Sequence, residues 1–355
     1  MCPSSAANTH VRGLIVALQR LGWDVTLFAE VGDDHIRPGH LRQLYRYSRL
    51  QLALALRLRR GDIIYVRQHF ASLPLVAFAR LCAIPVVLEL NGLPDDPAQS
   101  YPVLIRFQRM ISSSYKYQFK FASHVFAVTE GLADFVRLQA LTTQVSVTPN
   151  GADTDIFNAD SKPRPIDAPP RKYVITYGDF AMWHNLNLIM EAARHPSWPQ
   201  DVDVLIIGQG PAAKIPMVDR DLRDRVTWLE RRDQNRLSAY IVNALAGIVP
   251  IGGYDSRLKL GVFPLKLVEM LACGVPVIVT ELPGQSELVR ENRCGFVVPV
   301  DGIHELAEAV AQLVNSPETC AEMGHRGRQL VEEKLSWGTI ARQVHTELCA
   351  LARVV

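Results

Sequence analysis

Short runs of β-branched and aliphatic residues alternate with longer amphipathic stretches along the chain, and the alternation occurs twice. The first set of apolar runs falls at 24–28, 63–66, 85–90, 124–128 and 145–148, most with a Gly, Pro or Asn at or near an end. Helical periodicity lies between them. Over 9–21, for example, Val11, Leu14, Ile15, Leu18 and Leu21 share one face, and Gly22 ends the pattern. Runs that are apolar throughout suit strands buried on both faces, and the helical stretches between them supply the crossovers of a parallel sheet. From Asn158 to Arg171 the chain instead carries Pro163, Pro165, Pro169 and Pro170 among few apolar residues. Prolines stiffen such a segment and forbid regular pairing, so it reads as a linker. The alternation then restarts, with runs at 173–177, 202–207, 226–229, 247–251, 276–279 and 296–298. The expected fold is α/β with two Rossmann-like domains, at 1–160 and 172–335. A Pro-rich linker at 161–171 joins them, and a terminal helix follows at 336–355. Ligands of such domains gather at the carboxyl ends of the strands, here expected to face an interdomain cleft.

A length of 355 residues fits two domains, and 48% hydrophobic with 21% charged residues excludes a disordered or fibrous chain. The net charge of +2 gives no reason to expect nucleic acid as a partner. Cys2, Cys82, Cys273, Cys294, Cys320 and Cys349 are scattered, with no C-x-x-C pair and no His at ligand spacing. They read as reduced thiols, and no metal is expected. No apolar run reaches 18 residues, and the opening Met1-Cys2-Pro3-Ser4-Ser5 lacks the pattern of a signal peptide, so a cytoplasmic protein is expected.

The segment with most chemistry is Phe263-Pro264-Leu265-Lys266-Leu267-Val268-Glu269, followed by a helix that Gly274 caps and the apolar run at 276–279. Lys266 falls in the first helical turn and Glu269 one turn later, on the same face. A helix amino terminus with a Lys suits a phosphate, and an ionised Glu accepts hydrogen bonds from sugar hydroxyls. The same spacing also describes an ordinary solvated Lys–Glu pair. Glu89 ends the run at 85–90 beside Asn91; it reads either as a group that binds sugar hydroxyls or as the partner of a surface Arg.

Several segments together resemble the family 4 glycosyltransferases (glycosyl transferases group 1), retaining enzymes of GT-B architecture that use nucleotide-sugar donors. Pro264-Leu265-Lys266 with Glu269 resembles their "PLK-x-x-E" variant, and Glu269 matches the second Glu of E-x7-E. Thr148-Pro149-Asn150-Gly151-Ala152-Asp153 resembles "PNG-h-D", and Ile207-Gly208-Gln209-Gly210-Pro211 resembles a "G-x-G-P" turn. Leu282-Pro283-Gly284-Gln285-Ser286-Glu287 resembles "G-x-x-E", Tyr177-Gly178 through His184-Asn185 resembles "G-x-h-x-x-W-[KH]-G", and Leu90-Asn91-Gly92 resembles a strand end near the donor sugar. His10-Val11 resembles the opening helix, and Trp337 matches a late aromatic. The resemblance spans nearly the whole chain; each motif is weak alone, and their order and spacing are specific.

The resemblance implies a retaining transferase. It would move a sugar from a nucleoside-diphosphate sugar to a glycan or lipid-linked acceptor in surface polysaccharide synthesis, with no cofactor and no metal. Lys266, with the amides around Leu265 and Leu267, would face the donor phosphates, helped by His184, and Glu269 would hold the ribose. Gly208 and Gly210 would line the donor, and Asn91 and Glu89 would serve the reacting sugar from the acceptor-side first domain. Three departures stand out. Gly261 occupies the first Glu position of E-x7-E; Asp179 and His184 stand where many members have Arg and Lys; and Asn91 replaces a His, so it cannot shuttle a proton. The family's first strand should also precede Thr9, and too few residues remain for it, so the first domain is expected to lack that strand. These departures keep open a non-catalytic nucleotide-sugar or glycan-binding protein or a truncated, inactive transferase, and a GT-B epimerase shares the architecture.

The basic residues are mostly arginine, and they cluster in the first domain. Arg42, Arg46, Arg49, Arg57 and Arg60 share a helical stripe, and Arg106, Arg109, Lys116 and Lys120 interleave with aromatics where no acid falls between Asp96 and Glu130. Such surfaces suit an anionic lipid-linked acceptor or a peripheral position on a membrane; they also describe a solvated helix face.

Overall fold

The apolar runs pair into two parallel sheets, one in each of two units. The computed structural model describes residues 6–29, 40–96, 102–180, 183–209, 222–252 and 259–353, with backbone only for 6–7, 40–44 and 102. The first unit comprises Met1–Pro149 and Ile340–Val355, the second Asn150–Thr339.

In the first unit, β1 (Ile64–Arg67), β2 (Val86–Leu90), β3 (His124–Ala127) and β4 (Gln144–Val147) pair in that order. The helices are α1 (Ala6–Arg20), α2 (His40–Ala55), α3 (Leu73–Leu81), α4 (Gln108–Phe121) and α5 (Glu130–Gln139), with a 3-10 turn over Pro102–Phe107 before α4. The run at 24–28, expected to be a strand, joins neither sheet among the described residues. Its residues are exposed or half-buried, Leu27 being 50% exposed, so no face of it is covered as a central strand would be. Among the described residues β1 is an edge of this sheet, and no strand precedes it.

The second unit holds β5 (Lys172–Asp179), β6 (Val202–Gln209), β7 (Val226–Leu229), β8 (Ala246–Val249), β9 (Val277–Thr280) and β10 (Gly295–Val298). Helices α6 (Leu186–Arg194), α7 (Gln234–Val242), α8 (Leu265–Ala272), α9 (Gln285–Asn292), α10 (Ile303–Asn315) and α11 (Pro317–Leu330) connect and cover them. The strand order is β10-β9-β8-β5-β6-β7 and every pair is parallel. This is the doubly wound order, with its reversal between β5 and β8. Val277, Ile278 and Val279 are wholly buried, as are Leu205 and Ile206, which is why these strands read as continuous apolar runs. Each such aliphatic side chain contributes about 1.5–3 kcal/mol through burial.

The proline segment lies within the second unit rather than outside it. Lys162 donates to the Ile156 carbonyl at 2.9 Å and to Ser238 Oγ at 2.8 Å, and the Arg164 guanidinium sits 4.9 Å from the centre of the Tyr173 ring. Proline keeps the strand pattern out of this stretch, while its polar side chains strap it to α7. The second unit also closes on itself. The Ala152 N–H donates to the Leu335 carbonyl at 2.9 Å, and the Trp337 N–H to the Ala152 carbonyl at 3.0 Å. The last helix, α12 (Trp337–Ala352), belongs to the first unit from Ile340 onward, where the Trp23 indole N–H donates to His345 Nδ1 at 2.9 Å.

Candidate functional site

The reversal of strand order in the second unit brings the ends of β5 and β8 beside the start of α8. Pro264, in extended backbone, precedes α8 and offers no side-chain cap. The first N–H groups of the helix, at Leu265 and Lys266, are therefore left for a ligand or solvent. Lys266 and Glu269 are 8% and 6% exposed, which excludes the solvated surface pair. Among the described residues the Lys266 ammonium has no hydrogen-bond partner, and it lies 5.5 Å from the centre of the Phe180 ring. Glu269 Oε2 accepts the Tyr177 hydroxyl at 2.7 Å. Burial lowers the Lys266 pKa to about 7, against the pull of Glu269, and burial raises that of Glu269 to about 7. Burial, with Glu269 beside it, raises the Tyr177 hydroxyl well above its ordinary range, so it stays a donor.

Two glycines open space beside that ammonium. Gly178 and Gly208 pair in register at the ends of β5 and β6, with φ of +123° and +140°. A Cβ on Gly208 would overlap the Gly178 carbonyl oxygen, and one on Gly178 would come within 3.6 Å of Lys266 Nζ. Only glycine takes this backbone without strain. The Gly208 carbonyl accepts the Trp228 indole N–H at 3.0 Å, and Asp179 pairs with Arg231. His184 meets the same Phe180 ring as Lys266, 5.8 Å between centroids. Leu265 is half-buried, whereas Leu267 is a core side chain whose N–H is taken by the Pro264 carbonyl at 3.1 Å. Gly210 lies outside the described residues.

The PNG turn supports this site. The Asn150 amide donates to the Phe263 carbonyl just before α8, Trp337 packs on Gly151, and Asp153 Oδ1 accepts the Asp155 N–H at 3.0 Å as a turn cap. Among the described residues no group of three His, Cys, Asp or Glu side chains is placed to hold a metal.

Glu89 and Asn91 meet in the first unit. Glu89, 5% exposed, receives His10 Nε2 at 2.8 Å and the Asn91 amide on one oxygen, and the Tyr65 hydroxyl at 2.8 Å on the other. Burial pushes its pKa up, but His10, Arg67 and the Asn91 amide outweigh that and hold it at about 2. Both oxygens are thus occupied from within, and Glu89 is an anchor that orients Asn91. Because a carboxylate only accepts, Asn91 must turn its NH2 toward Glu89 and its carbonyl oxygen away. Arg46 and Arg49 are exposed on α2, and the Arg42 side chain lies outside the described residues. Two partners had no spacing signal. Tyr177 lies far along the chain from Glu269, and His10 far from Glu89; only the strand-end position of Tyr177 beside Gly178 hinted at a role.

Two family models match the chain. "Glycosyltransferase Family 4" matches residues 7–156 and "Glycosyl transferases group 1" residues 159–330. Between them they account for nearly all of it, and the chain belongs to this family, with the GT-B fold class of two Rossmann-like domains. It is 26% identical over 207 residues to a GDP-mannose-dependent alpha-(1-6)-phosphatidylinositol monomannoside mannosyltransferase of Mycobacterium tuberculosis. That match covers 55% of this chain and 53% of the relative, so the chain spans about half the length of this curated relative. Among solved structures, sucrose-phosphate synthase of Thermosynechococcus elongatus matches with a TM-score of 0.75 at 19% identity, covering 98% of this chain and 94% of the other. Anabaena HepE, solved with UDP and glucose, matches with a TM-score of 0.71 at 17% identity, covering 98% of each. At such identities these structures speak for the fold.

Proposed function

We propose that the chain is a glycosyltransferase that takes a sugar from a nucleoside-diphosphate sugar. The observation that carries this is the buried Lys266 ammonium at the start of α8, without a hydrogen-bond partner among the described residues, beside the paired glycines at the ends of β5 and β6. Such an amine is costly without an anion, and a diphosphate supplies one. The relatives that act on GDP-mannose, or were solved with UDP, support the same donor class.

In this reading the donor diphosphate lies against the free N–H groups of α8 and against Lys266. Glu269, held by Tyr177, accepts the ribose hydroxyls. As the glycosidic bond breaks, negative charge grows on the departing phosphate, and Lys266 with the helix amides stabilises it in place. The donated Asn91 amide leaves its carbonyl oxygen to accept from a sugar hydroxyl. The departing phosphate itself assists attack on the same face, which retains configuration. A glycan or lipid-linked acceptor in surface polysaccharide synthesis follows from the family resemblance, as does a position on the cytoplasmic side. Calorimetry with GDP and UDP is the test: the native protein is expected to bind one of them, Lys266→Ala to lose catalysis with fold retained, and Glu269→Ala mainly to weaken binding. Unchanged nucleotide affinity in both variants would remove the site.

A second reading, a nucleotide-sugar-binding protein without turnover, draws on Gly261, which leaves one motif carboxylate out of the site. Release of sugar from a panel of radiolabelled donors separates the two.

A further inference from the structure

We propose that the outer face of α4, with the 3-10 turn before it, docks on an anionic lipid bilayer. This rests on the first unit alone and holds whether or not the second transfers a sugar. The helix has a fixed inner face: Ile111, Tyr115 and Phe119 are buried, Ser114 Oγ donates to the Phe70 carbonyl at 2.6 Å, and Gln118 Nε2 to the His69 carbonyl at 3.0 Å. Rotation is therefore set, and the opposite stripe must face outward.

That outward stripe is not the polar surface an ordinary amphipathic helix shows. Ile105 and Met110 are 63% and 64% exposed, and Val103, Phe107 and Tyr117 are about half exposed. Interleaved with them are Arg106, Arg109, Lys116 and Lys120, all exposed. Among the described residues no ion pair engages any of the four, and no acid occurs in sequence between Asp96 and Glu130. Some surface arginines elsewhere do pair, as Arg137 does with Glu130 and Asp134, and Arg326 with Glu322. The Lys120 ammonium lies 5.9 Å from the centre of the Tyr117 ring, which keeps its stem along the apolar surface.

Unpaired cations beside exposed apolar and aromatic side chains match the interface of an anionic membrane, where cations meet headgroups and apolar groups enter the acyl boundary. Nucleic acid would satisfy the cations and leave Ile105 and Met110 in water. A protein partner or a second copy would have to bring carboxylates and apolar surface together.

The test is co-flotation with vesicles of phosphatidylcholine alone or mixed with phosphatidylglycerol. The native chain is expected to float with the mixed vesicles only, less so at high salt. The double variants Arg109→Glu/Lys116→Glu and Ile105→Ser/Met110→Ser are each expected to lose about tenfold or more in partition, since one basic residue contributes about fivefold. Their melting temperature and nucleotide binding should not change, because these side chains are exposed. The variant Arg46→Glu/Arg49→Glu on α2 should lose less in flotation than either α4 variant. Four results would overturn the proposal: no flotation; equal flotation on neutral vesicles; loss through the α2 variant while both α4 variants float; or a dimer in light scattering that Ile105→Ser/Met110→Ser dissolves.

Discussion

Placing the first glutamate of the E-x7-E pattern eight residues before Glu269 should damage this protein rather than improve it. The position is Gly261, whose φ is +81°, a left-handed backbone that side chains rarely adopt. A Cβ there would overlap the Pro283 carbonyl oxygen and lie 2.8 Å from its carbon. That carbonyl cannot retreat freely. It accepts the Val262 N–H at 2.9 Å, and the next residue, Gly284, donates its N–H to the Glu287 carboxylate that starts α9. The backbone conformation costs about 1–3 kcal/mol for a non-glycine residue, and forcing the overlap apart costs about 1–3 kcal/mol more. For a domain of this size a total of about 2–6 kcal/mol lowers Tm by roughly 4–24 °C. Gly261→Glu and Gly261→Ala should fall by similar amounts in a calorimetric scan, because the cost resides in the Cβ and the backbone. A Gly261→Glu protein with native Tm and faster sugar release would refute the reasoning, since the vacancy would then be a lost carboxylate and not a backbone that excludes one.

Other expectations follow from the charges. At pH 8 the free Lys266 amine, with its pKa near 7, is mostly neutral, and binding a diphosphate should charge it. Titration in buffers of different ionisation enthalpy should show uptake of about one proton, and affinity should fall up to about tenfold per pH unit above 7; no uptake at pH 8 would remove Lys266 from the phosphates. Glu89 is held at about 2 in the folded chain, below its ordinary 4.5. Its stabilisation is present above about 4.5 and lost as pH falls toward 2, so Glu89→Gln should cost about 2–4 kcal/mol at neutral pH and nearly nothing near pH 2, read by urea melts. Gly208→Ala should abolish nucleotide binding or folding of the second unit, because β5 and β6 cannot part at that register; a native melt with native affinity would contradict this.

The sheets were legible wherever a strand is covered on both faces. The run at 173–177 became Lys172–Asp179, and the run at 202–207 became Val202–Gln209. The run at 24–28 has the same local composition and forms no strand among the described residues, because a strand exists only with a ladder partner, and pairing is not written in a five-residue window. At the candidate site, spacing placed Lys266 and Glu269 on one helical face. It could not supply the burial that separates a poised amine from a solvated one. It could not find Tyr177 or His10 either, since parallel crossovers bring residues together without any periodic signature. The prolines at 163–170 gave the correct absence of regular pairing, while the side chains between them tie that stretch into the second unit.

The hydrogen bonds on Ala152 have a consequence for how the molecule can be taken apart. A segment whose first and last strands of chain are stitched together is, in genetic terms, an insertion: it leaves and re-enters at one point. Expressed alone, Asn150–Thr339 should keep its own core, its doubly wound order and its buried Lys266, so the proposed nucleotide binding can be assayed without the rest of the chain. The same stitch makes this stretch a cassette that could be exchanged whole between members of the family, with the joints placed at Pro149 and Ile340.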